Sequence, residues 1–132
     1  MCQLFIHGDS ELWKSRTKSL RIDGMSTSIR IENFFWSTLE EIAARDRMTV
    51  NQLIAKLYYE SIDAEHDLGN FTSFLRVCCA RYLSLINMGE ISSSLADELG
   101  NIAADEILER ERTHYVDLQE LLKGFPRNTL GN

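Results

Sequence analysis

The sequence predicts a mainly α-helical protein that dimerises through a β-ribbon, to which each copy of the chain supplies a strand. Two observations predict this fold. One short alternating segment, residues 26–32, runs directly into two amphipathic helical patterns at residues 33–46 and 49–60. Because a single strand cannot form a sheet alone, its partner is expected from a second copy, and further helical patterns follow towards the C-terminus.

The alternating segment divides its side chains between two faces, because successive side chains of a strand point to opposite sides. The inward set is Thr27, Ile29 and Ile31, and the outward set is Ser26, Ser28 and Arg30. Serine can donate to or accept from a base edge, and a guanidinium can span O6 and N7 of guanine. The outward face is therefore able to read base pairs, although three such residues in isolation more often form a solvated face.

Both helical patterns carry an apolar stripe. In residues 33–46 the stripe is Phe35, Leu39, Ile42 and Ala43, and in residues 49–60 it is Val50, Leu53, Ile54, Leu57 and Tyr58. The two stripes are expected to pack against each other and against the strand pair. The predicted dimer core is Ile29, Ile31, Phe35, Leu39, Ile42, Leu53 and Leu57.

The second helical pattern opens with a capping box. Thr49 is the expected N-cap, and Gln52 stands three residues later, where its side chain can reach back to the Thr49 amide. A helix start leaves backbone amides unpaired and carries partial positive charge, which suits a phosphate group. Thr49 and Asn51 could add side-chain hydrogen bonds there, although most caps are purely structural.

Strand, helix, short turn and capped helix in this order resemble the ribbon-helix-helix family of Arc- and MetJ-like repressors. Residues 27–31 end just before the first helix and residues 49–51 begin the second, as in that family. Residues 26–32, 35–36 and 39–43 also resemble a proteobacterial subfamily with a C-terminal extension. The resemblance implies a homodimer that binds double-stranded DNA in the major groove. It assigns base reading to Ser26, Ser28 and Arg30, and phosphate binding to Thr49, Val50 and Asn51.

A second alternating segment complicates this ribbon. Residues 18–22 alternate as well, and Asp23-Gly24 is a favoured two-residue hairpin turn that would set Leu20 opposite Thr27. If this hairpin forms, the dimer carries a four-stranded sheet, which is wide for the major groove. Either the outer strand then bends away, or the ribbon surface has another role.

Charge is unevenly distributed along the chain. The formal net charge is -6, yet residues 14–47 contain seven Lys or Arg against five Asp or Glu. Residues 90–132 contain four basic residues against nine acidic ones. The predicted DNA-binding region is therefore locally basic, and the acidity lies in the tail.

The chain divides into four predicted regions: an N-terminal segment 1–18, a core 19–62, a third helix 70–88 and an acidic helical extension 101–123. Residues 61–70 and 90–100 are expected to be connections, and little order is expected after residues 124–126. The extension keeps apolar residues at Ile107, Leu108, Tyr115, Leu118, Leu121 and Leu122. They exceed what a solvated tail needs, so the extension is expected to pack on the partner subunit, on a second dimer in a tetramer, or on another protein.

Signals for catalysis, cofactors and metals are weak. His7, His66 and His114 lie far apart without metal-ligand spacing, and Cys78 and Cys79 fit a helix core better than a redox pair. No enzymatic activity, cofactor or metal is therefore expected. No apolar run approaches a membrane span and the first residues lack signal-peptide character, so a cytoplasmic protein without membrane association is expected.

Two functions remain open at this point. The first is a homodimeric, sequence-specific DNA-binding protein, a transcriptional regulator of a bacterium or phage. The second is an antitoxin-like or adaptor protein that uses the same dimer and its acidic tail for protein–protein interaction. A hairpin that pairs residues 19–22 with 27–31, together with an ordered tail, favours the second function. An exposed two-stranded ribbon favours the first.

Overall fold

The computed structural model describes residues 1–64 and 70–126. A short helix α1 (Cys2–Ile6) and a 3-10 turn (Ser10–Leu12) precede strands β1 (Ser15–Ile22) and β2 (Met25–Glu32). Helices α2 (Asn33–Arg45), α3 (Val50–Asp63), α4 (Phe71–Asn87) and α5 (Ala104–Leu122) follow. The predicted fold class, mainly α-helical with a β-ribbon and additional C-terminal helices, is confirmed.

The two strands form an antiparallel hairpin. Their register runs from Ser15 opposite Glu32 to Ile22 opposite Met25, and it includes the predicted pair of Leu20 and Thr27. At the turn, Asp23 has a φ of 54° and Gly24 a φ of 75°. A two-residue hairpin turn of this type needs positive φ at both positions, which explains why Asp-Gly occurs there. The hairpin, which the sequence predicted only as one possibility, therefore forms within one chain.

The core lies between one face of the hairpin and helices α2, α3 and α4. Its buried members are Leu20, Ile22, Ile29, Ile31, Trp36, Leu39, Ala43, Leu53, Ile54, Leu75 and Cys79. The predicted inward position of Ile29 and Ile31 agrees with this burial. Thr27 lies on the same side of the sheet but is exposed, because it borders an open groove beside β2.

Helix α2 buries a wider face than its predicted stripe. Leu39 and Ala43 are buried as predicted, whereas Phe35 and Ile42 are only partly buried. Trp36, outside the stripe, is completely buried, because β1 covers that side of the helix and accepts the indole hydrogen bond at the Arg16 carbonyl. A strand distant in sequence has thus extended the buried face.

Helix α3 begins where predicted and ends later. It continues to Asp63, so residues 61–63, expected in a connection, are helical. Ser61 is buried because it lies one turn after Leu57 on the inward face of the helix. Residues 65–69, including His66, and residues 127–132 lie outside the described residues. Helix α4 begins after Asn70, the first residue of the predicted third helix, and the Asn70 side chain accepts a hydrogen bond from the Ser73 amide.

Residues 91–100 are not helical but are held against the end of α2. The Asp46 carboxylate accepts hydrogen bonds from the amides of Leu99 at 2.7 Å and Gly100 at 3.0 Å. Ile91 is buried. The predicted connection is therefore a fixed part of the fold, because Asp46 satisfies backbone amides that a free loop would present to water.

Arg45, which the amphipathic pattern of α2 assigns to solvent, is buried by the same segment. Its Nε donates to the Asp97 carbonyl at 2.9 Å, and its Nη1 donates to the Tyr82 hydroxyl at 3.1 Å. The Tyr82 hydroxyl in turn donates to Glu41. Burial raises the pKa of Tyr82, and acceptance by Glu41 raises it further, so the hydroxyl stays protonated. The buried guanidinium is thereby hydrogen-bonded, as burial of a charge requires.

The described residues form two compact units, one that ends at Gly100 and one that begins at Asn101. In the second unit α5 buries Ile107, whereas Leu108, Tyr115, Val116, Leu118, Leu121 and Leu122 are exposed. Across the two described ranges, none of the helices combines the length and apolar character needed to cross a membrane.

Candidate nucleic-acid interface

The outward face of the hairpin carries hydroxyl and guanidinium groups. Its members are Ser15, Thr17, Ser19 and Arg21 from β1, and Ser26, Ser28 and Arg30 from β2, all of them exposed. Arg21 lies opposite Ser26, Ser19 opposite Ser28, and Thr17 opposite Arg30. Glu32, opposite Ser15, is the acidic residue at the end of this face, and the rest of the face combines positive charge with donors and acceptors for base edges and phosphates.

The three predicted base-reading residues lie together on this face. The Arg30 Nη1 donates to the Thr17 Oγ1 at 3.4 Å across the hairpin, so β1 directly contacts a residue that is predicted to read bases. The acidic residue that follows, Glu32, is bound by Arg76 of α4. The guanidinium of Arg30 therefore lies beside hydroxyls, and the charge of Glu32 at the end of the same face is balanced by Arg76.

Sequence reasoning missed the contribution of β1 to this face. The sequence could have predicted this contribution, because the Asp23-Gly24 turn fixes the register of both strands. With Ile22 opposite Met25, alternation alone places Ser19 and Arg21 on the side that carries Ser28 and Ser26. The Arc-type pattern in residues 26–32 covers only β2, so it does not indicate this contribution of β1.

The predicted phosphate-binding residues lie at the first turn of α3. The capping box is present: the Gln52 amide donates to the Thr49 Oγ1 at 3.1 Å, and the Thr49 amide donates to the Gln52 Oε1 at 2.9 Å. The first-turn amides of Val50 and Asn51 have no intrahelical acceptor. The box therefore uses two donors at this helix start and leaves two others for an anion.

Arg47 lies two residues before Thr49, the N-cap of this helix, and was not among the predicted site residues. It has a φ of 55°, in the left-handed region that ends α2. Its side chain is 87% exposed, with Nε at 3.9 Å from Glu98 Oε1. The sequence could have indicated Arg47, because it is a basic residue two positions before the predicted cap. It is a basic residue close in sequence to the Val50 and Asn51 amides, and its charge is partly balanced by Glu98.

Strand β2 has an open edge. Lys14 and Asn33 stand opposite each other at the end of the ladder, and the Asn33 amide donates to the Lys14 carbonyl at 2.8 Å. In an antiparallel ladder bonded and non-bonded pairs alternate, so the backbone groups of Ser26, Ser28 and Arg30 point away from β1. The sheet has two strands within the described residues. Those backbone groups are therefore available to another strand.

A groove with both polar and apolar lining runs beside this open edge. It is lined by residues 25–29 of β2 and by Tyr58, Tyr59, Ile62, Phe71 and Thr72 of α3 and α4, with Ile22 and Asp23 at its end. Met25 is 74% exposed and Ile62 is 47% exposed. An unpaired strand edge next to exposed apolar side chains is suited to accept another strand and the helix that follows it.

Cys78 and Cys79 of α4 provide no reactive group. Cys79 is completely buried, and burial raises the pKa of its thiol to about 12. Burial also raises the pKa of Cys78. Both thiols are therefore protonated at neutral pH, which makes them poor nucleophiles and metal ligands. Over residues 1–64 and 70–126, no group of three His, Cys, Asp or Glu side chains is placed to hold a metal ion.

An antiparallel ribbon with a polar, cationic face, followed at once by two helices of which the second is capped, defines the ribbon-helix-helix class. A ribbon-helix-helix domain model matches residues 15–83, and the chain belongs to that family. The family generally comprises dimeric, non-enzymatic DNA-binding regulators. A solved structure of an uncharacterized protein from Bordetella pertussis Tohama I is 43% identical, with a TM-score of 0.77, and the match covers 81% of this chain and 86% of that one. No curated protein matches the chain.

Proposed function

We propose that the protein is a homodimeric, sequence-specific DNA-binding regulator that reads the major groove with the β2 strands of two copies. The observation that carries this proposal is the outward hairpin face, where seven exposed hydroxyl and guanidinium side chains lie together and the carboxylate at its end, Glu32 opposite Ser15, is paired with Arg76. The second observation is the α3 start, where the Val50 and Asn51 amides have no intrahelical acceptor and the exposed Arg47 precedes the cap.

In the proposed dimer, the open edge of one β2 pairs with the open edge of the other. The backbone groups of Ser26, Ser28 and Arg30 then acquire partners, and the groove beside β2 receives helices of the second copy. Of the predicted dimer-core residues, Phe35, Ile42 and Leu57 are only partly buried within one chain and keep surface for the partner. The others, Ile29, Ile31, Leu39 and Leu53, are buried already.

The proposed roles follow from donor chemistry. Arg30 reads a guanine through paired donors, and Ser26 and Ser28 contact neighbouring base edges. The Val50 and Asn51 amides, the Asn51 side chain and the Thr49 hydroxyl proton hold a backbone phosphate. Phosphate contacts fix the orientation of the dimer on DNA, and the strand side chains provide sequence preference.

Titration of the full-length protein with a randomised duplex pool tests this function. Arg30→Ala should lose about 1–3 kcal/mol of discrimination per bidentate contact, at one base position in each half-site. Asn51→Ala should weaken binding to all sequences alike. It is a cleaner variant than Thr49→Ala, which also opens the capping box. If the wild-type dimer has no affinity for any duplex even at about 50 mM salt, the proposed function is wrong.

A second function, protein–protein interaction by an antitoxin-like or adaptor dimer, is supported by two observations. Strands β1 and β2 are paired along their whole length. Pairing of residues 19–22 with 27–31 was the arrangement expected for an interaction protein. Helix α5 also exposes several large apolar side chains, including Tyr115 at 62% and Leu121 at 68%. Substitution of both by Ser should abolish assembly beyond the dimer, measured by sedimentation, if this surface binds a second dimer. Unchanged sedimentation would show that α5 does not bind a second dimer and that its apolar side chains contact a different protein or solvent.

A further inference from the structure

The width of the sheet raises a question that the family pattern does not answer, and the following inference rests on the proposed function. Neighbouring strands lie about 4.8 Å apart, so two paired β2 strands span about 5 Å between their axes. With a β1 strand on each side, the outer axes are about 14 Å apart, whereas the major groove is about 12 Å wide. The inner strands fit the groove, and the outer strands must lie above the sugar-phosphate backbones that border it.

The chemistry of β1 matches that position. Its outward side chains are Ser15, Thr17, Ser19 and Arg21, which are hydroxyls and a guanidinium, the groups that commonly bind phosphate oxygens. Arg21 is exposed and lies opposite Ser26, and among the described residues no carboxylate forms an ion pair with it. Its charge is therefore available on the side of the sheet that faces the DNA.

Arg16 and Lys18, the other two basic residues of β1, make their contacts on the opposite face of the sheet. Lys18 Nζ lies 5.1 Å from the centre of the Trp36 ring and 4.0 Å from a Glu40 carboxylate oxygen. Arg16 Nη2 lies 3.6 Å from the same oxygen. Arg21 is thus the basic residue of β1 that alternation presents to the outward face.

Thr17 contributes in a different way. Its Oγ1 accepts a hydrogen bond from Arg30 Nη1 at 3.4 Å, which leaves the remaining guanidinium donors for a base. A guanidinium restrained before binding loses less conformational freedom when it pairs with guanine. Thr17 lies opposite Arg30 in the ladder, so this restraint is a consequence of the hairpin register.

We propose that β1 forms part of the DNA-binding surface, in which Arg21 binds a backbone phosphate at the border of the groove and Thr17 is a positioning residue for Arg30. The dimer then makes two Arg21–phosphate contacts, one from each outer strand. Each contact releases condensed counterions, so it adds affinity to all sequences and increases the dependence of binding on salt. The hairpin thereby becomes an extension of the family's DNA-binding ribbon.

The test for Arg21 measures the affinity of the full-length dimer for duplex DNA over a range of salt. Arg21→Gln should bind all sequences less tightly with unchanged base preference, and its log–log salt slope should be about two units shallower. The ratio of wild-type affinity to Arg21→Gln affinity should increase about tenfold when salt falls from about 200 to about 50 mM. Arg21→Lys should restore the slope. Arg112→Gln removes the same charge from a pair with Glu109 in α5 and is the control for net charge.

The test for Thr17 measures base preference. Thr17→Val keeps the side-chain shape and removes the acceptor, so preference at the position read by Arg30 should fall several-fold while the salt slope stays unchanged. Thr17→Ser should restore the preference. An effect of Arg21→Gln equal to that of Arg112→Gln, or an unchanged preference in Thr17→Val, would overturn the corresponding role. The DNA-reading function would then still stand if Arg30→Ala relaxes preference, whereas absent wild-type binding would remove both.

Discussion

Trp36 of α2 is bonded to Arg16 of β1: the buried indole N–H donates to the Arg16 carbonyl at 2.8 Å. Lys18 of the same strand lies over the face of this ring. The contact ties the outer strand of the hairpin to the first helix of the ribbon-helix-helix core. Because of it, β1 is part of the folded core, and a model in which this strand peels away to free a two-stranded ribbon would have to break a buried hydrogen bond.

Trp36→Phe tests how strongly this contact stabilises the fold. The variant loses the hydrogen bond and part of the ring volume, so the free energy of unfolding should fall by about 1–3 kcal/mol. Urea denaturation measures the change. Trp13→Phe is the matched control, because Trp13 is 56% exposed and its replacement should have little effect. Equal effects of the two substitutions would show that the Trp36–Arg16 contact is energetically unimportant.

Proline substitution distinguishes the two edges of the hairpin. Ser28 and Ser19 lie opposite each other as a non-bonded pair, so both amides point away from the hairpin interior. Ser28→Pro should weaken dimerisation because it removes an amide from the open edge of β2, while Ser19→Pro should leave it unchanged. Sedimentation equilibrium measures both dissociation constants. If Ser28→Pro dimerises as tightly as wild type, the dimer does not form through this edge.

The ion pair of Glu32 with Arg76 predicts a dependence of stability on pH. Arg76 donates from Nε at 3.0 Å and from Nη2 at 2.8 Å to Glu32 Oε1, and these bonds hold the pKa of Glu32 below its ordinary value of 4.5. A lowered folded-state pKa contributes stability above the unfolded pKa, and this stability is lost as the pH falls through the folded pKa.

A double-mutant cycle of Glu32→Gln and Arg76→Gln measures this contribution. Because the pair is partly exposed, we expect a coupling of about 1 kcal/mol near pH 7, which disappears in acid once Glu32 is protonated. Urea denaturation at both pH values provides the four stabilities at each. A coupling that persists unchanged in acid would contradict the assigned role of the Glu32 charge.

Two truncations separate the roles of residues 91–100 and of α5. A chain that ends at Gly100 keeps the first compact unit and should unfold cooperatively. A chain that ends at Gly89 loses buried Ile91 and the Asp97 carbonyl that accepts from Arg45, so it should be several kcal/mol less stable. Thermal and urea unfolding compare them. Similar stability of the two fragments would show that the segment from residue 91 to 100 adds little.

Local signals in the sequence were sufficient for the order and type of the main elements. Asp23-Gly24 determines the hairpin because few residue pairs adopt positive φ twice in succession. Thr49 and Gln52 determine the start of α3 through reciprocal bonds within one helical turn. Alternation determines that Arg30 is exposed and Ile31 buried. Each of these features depends on residues only a few positions apart.

Tertiary structure alone decided which further groups are buried and which surfaces remain open. Trp36 is buried by a strand whose carbonyl lies 20 residues away, and Asp46 binds an amide 53 residues away. Arg45, polar in the helical pattern, became part of the interior because Tyr82 and the Asp97 carbonyl complete its hydrogen bonds. Periodicity reports the average environment of a helix face, whereas such contacts form only when distant segments pack with matching donors and acceptors.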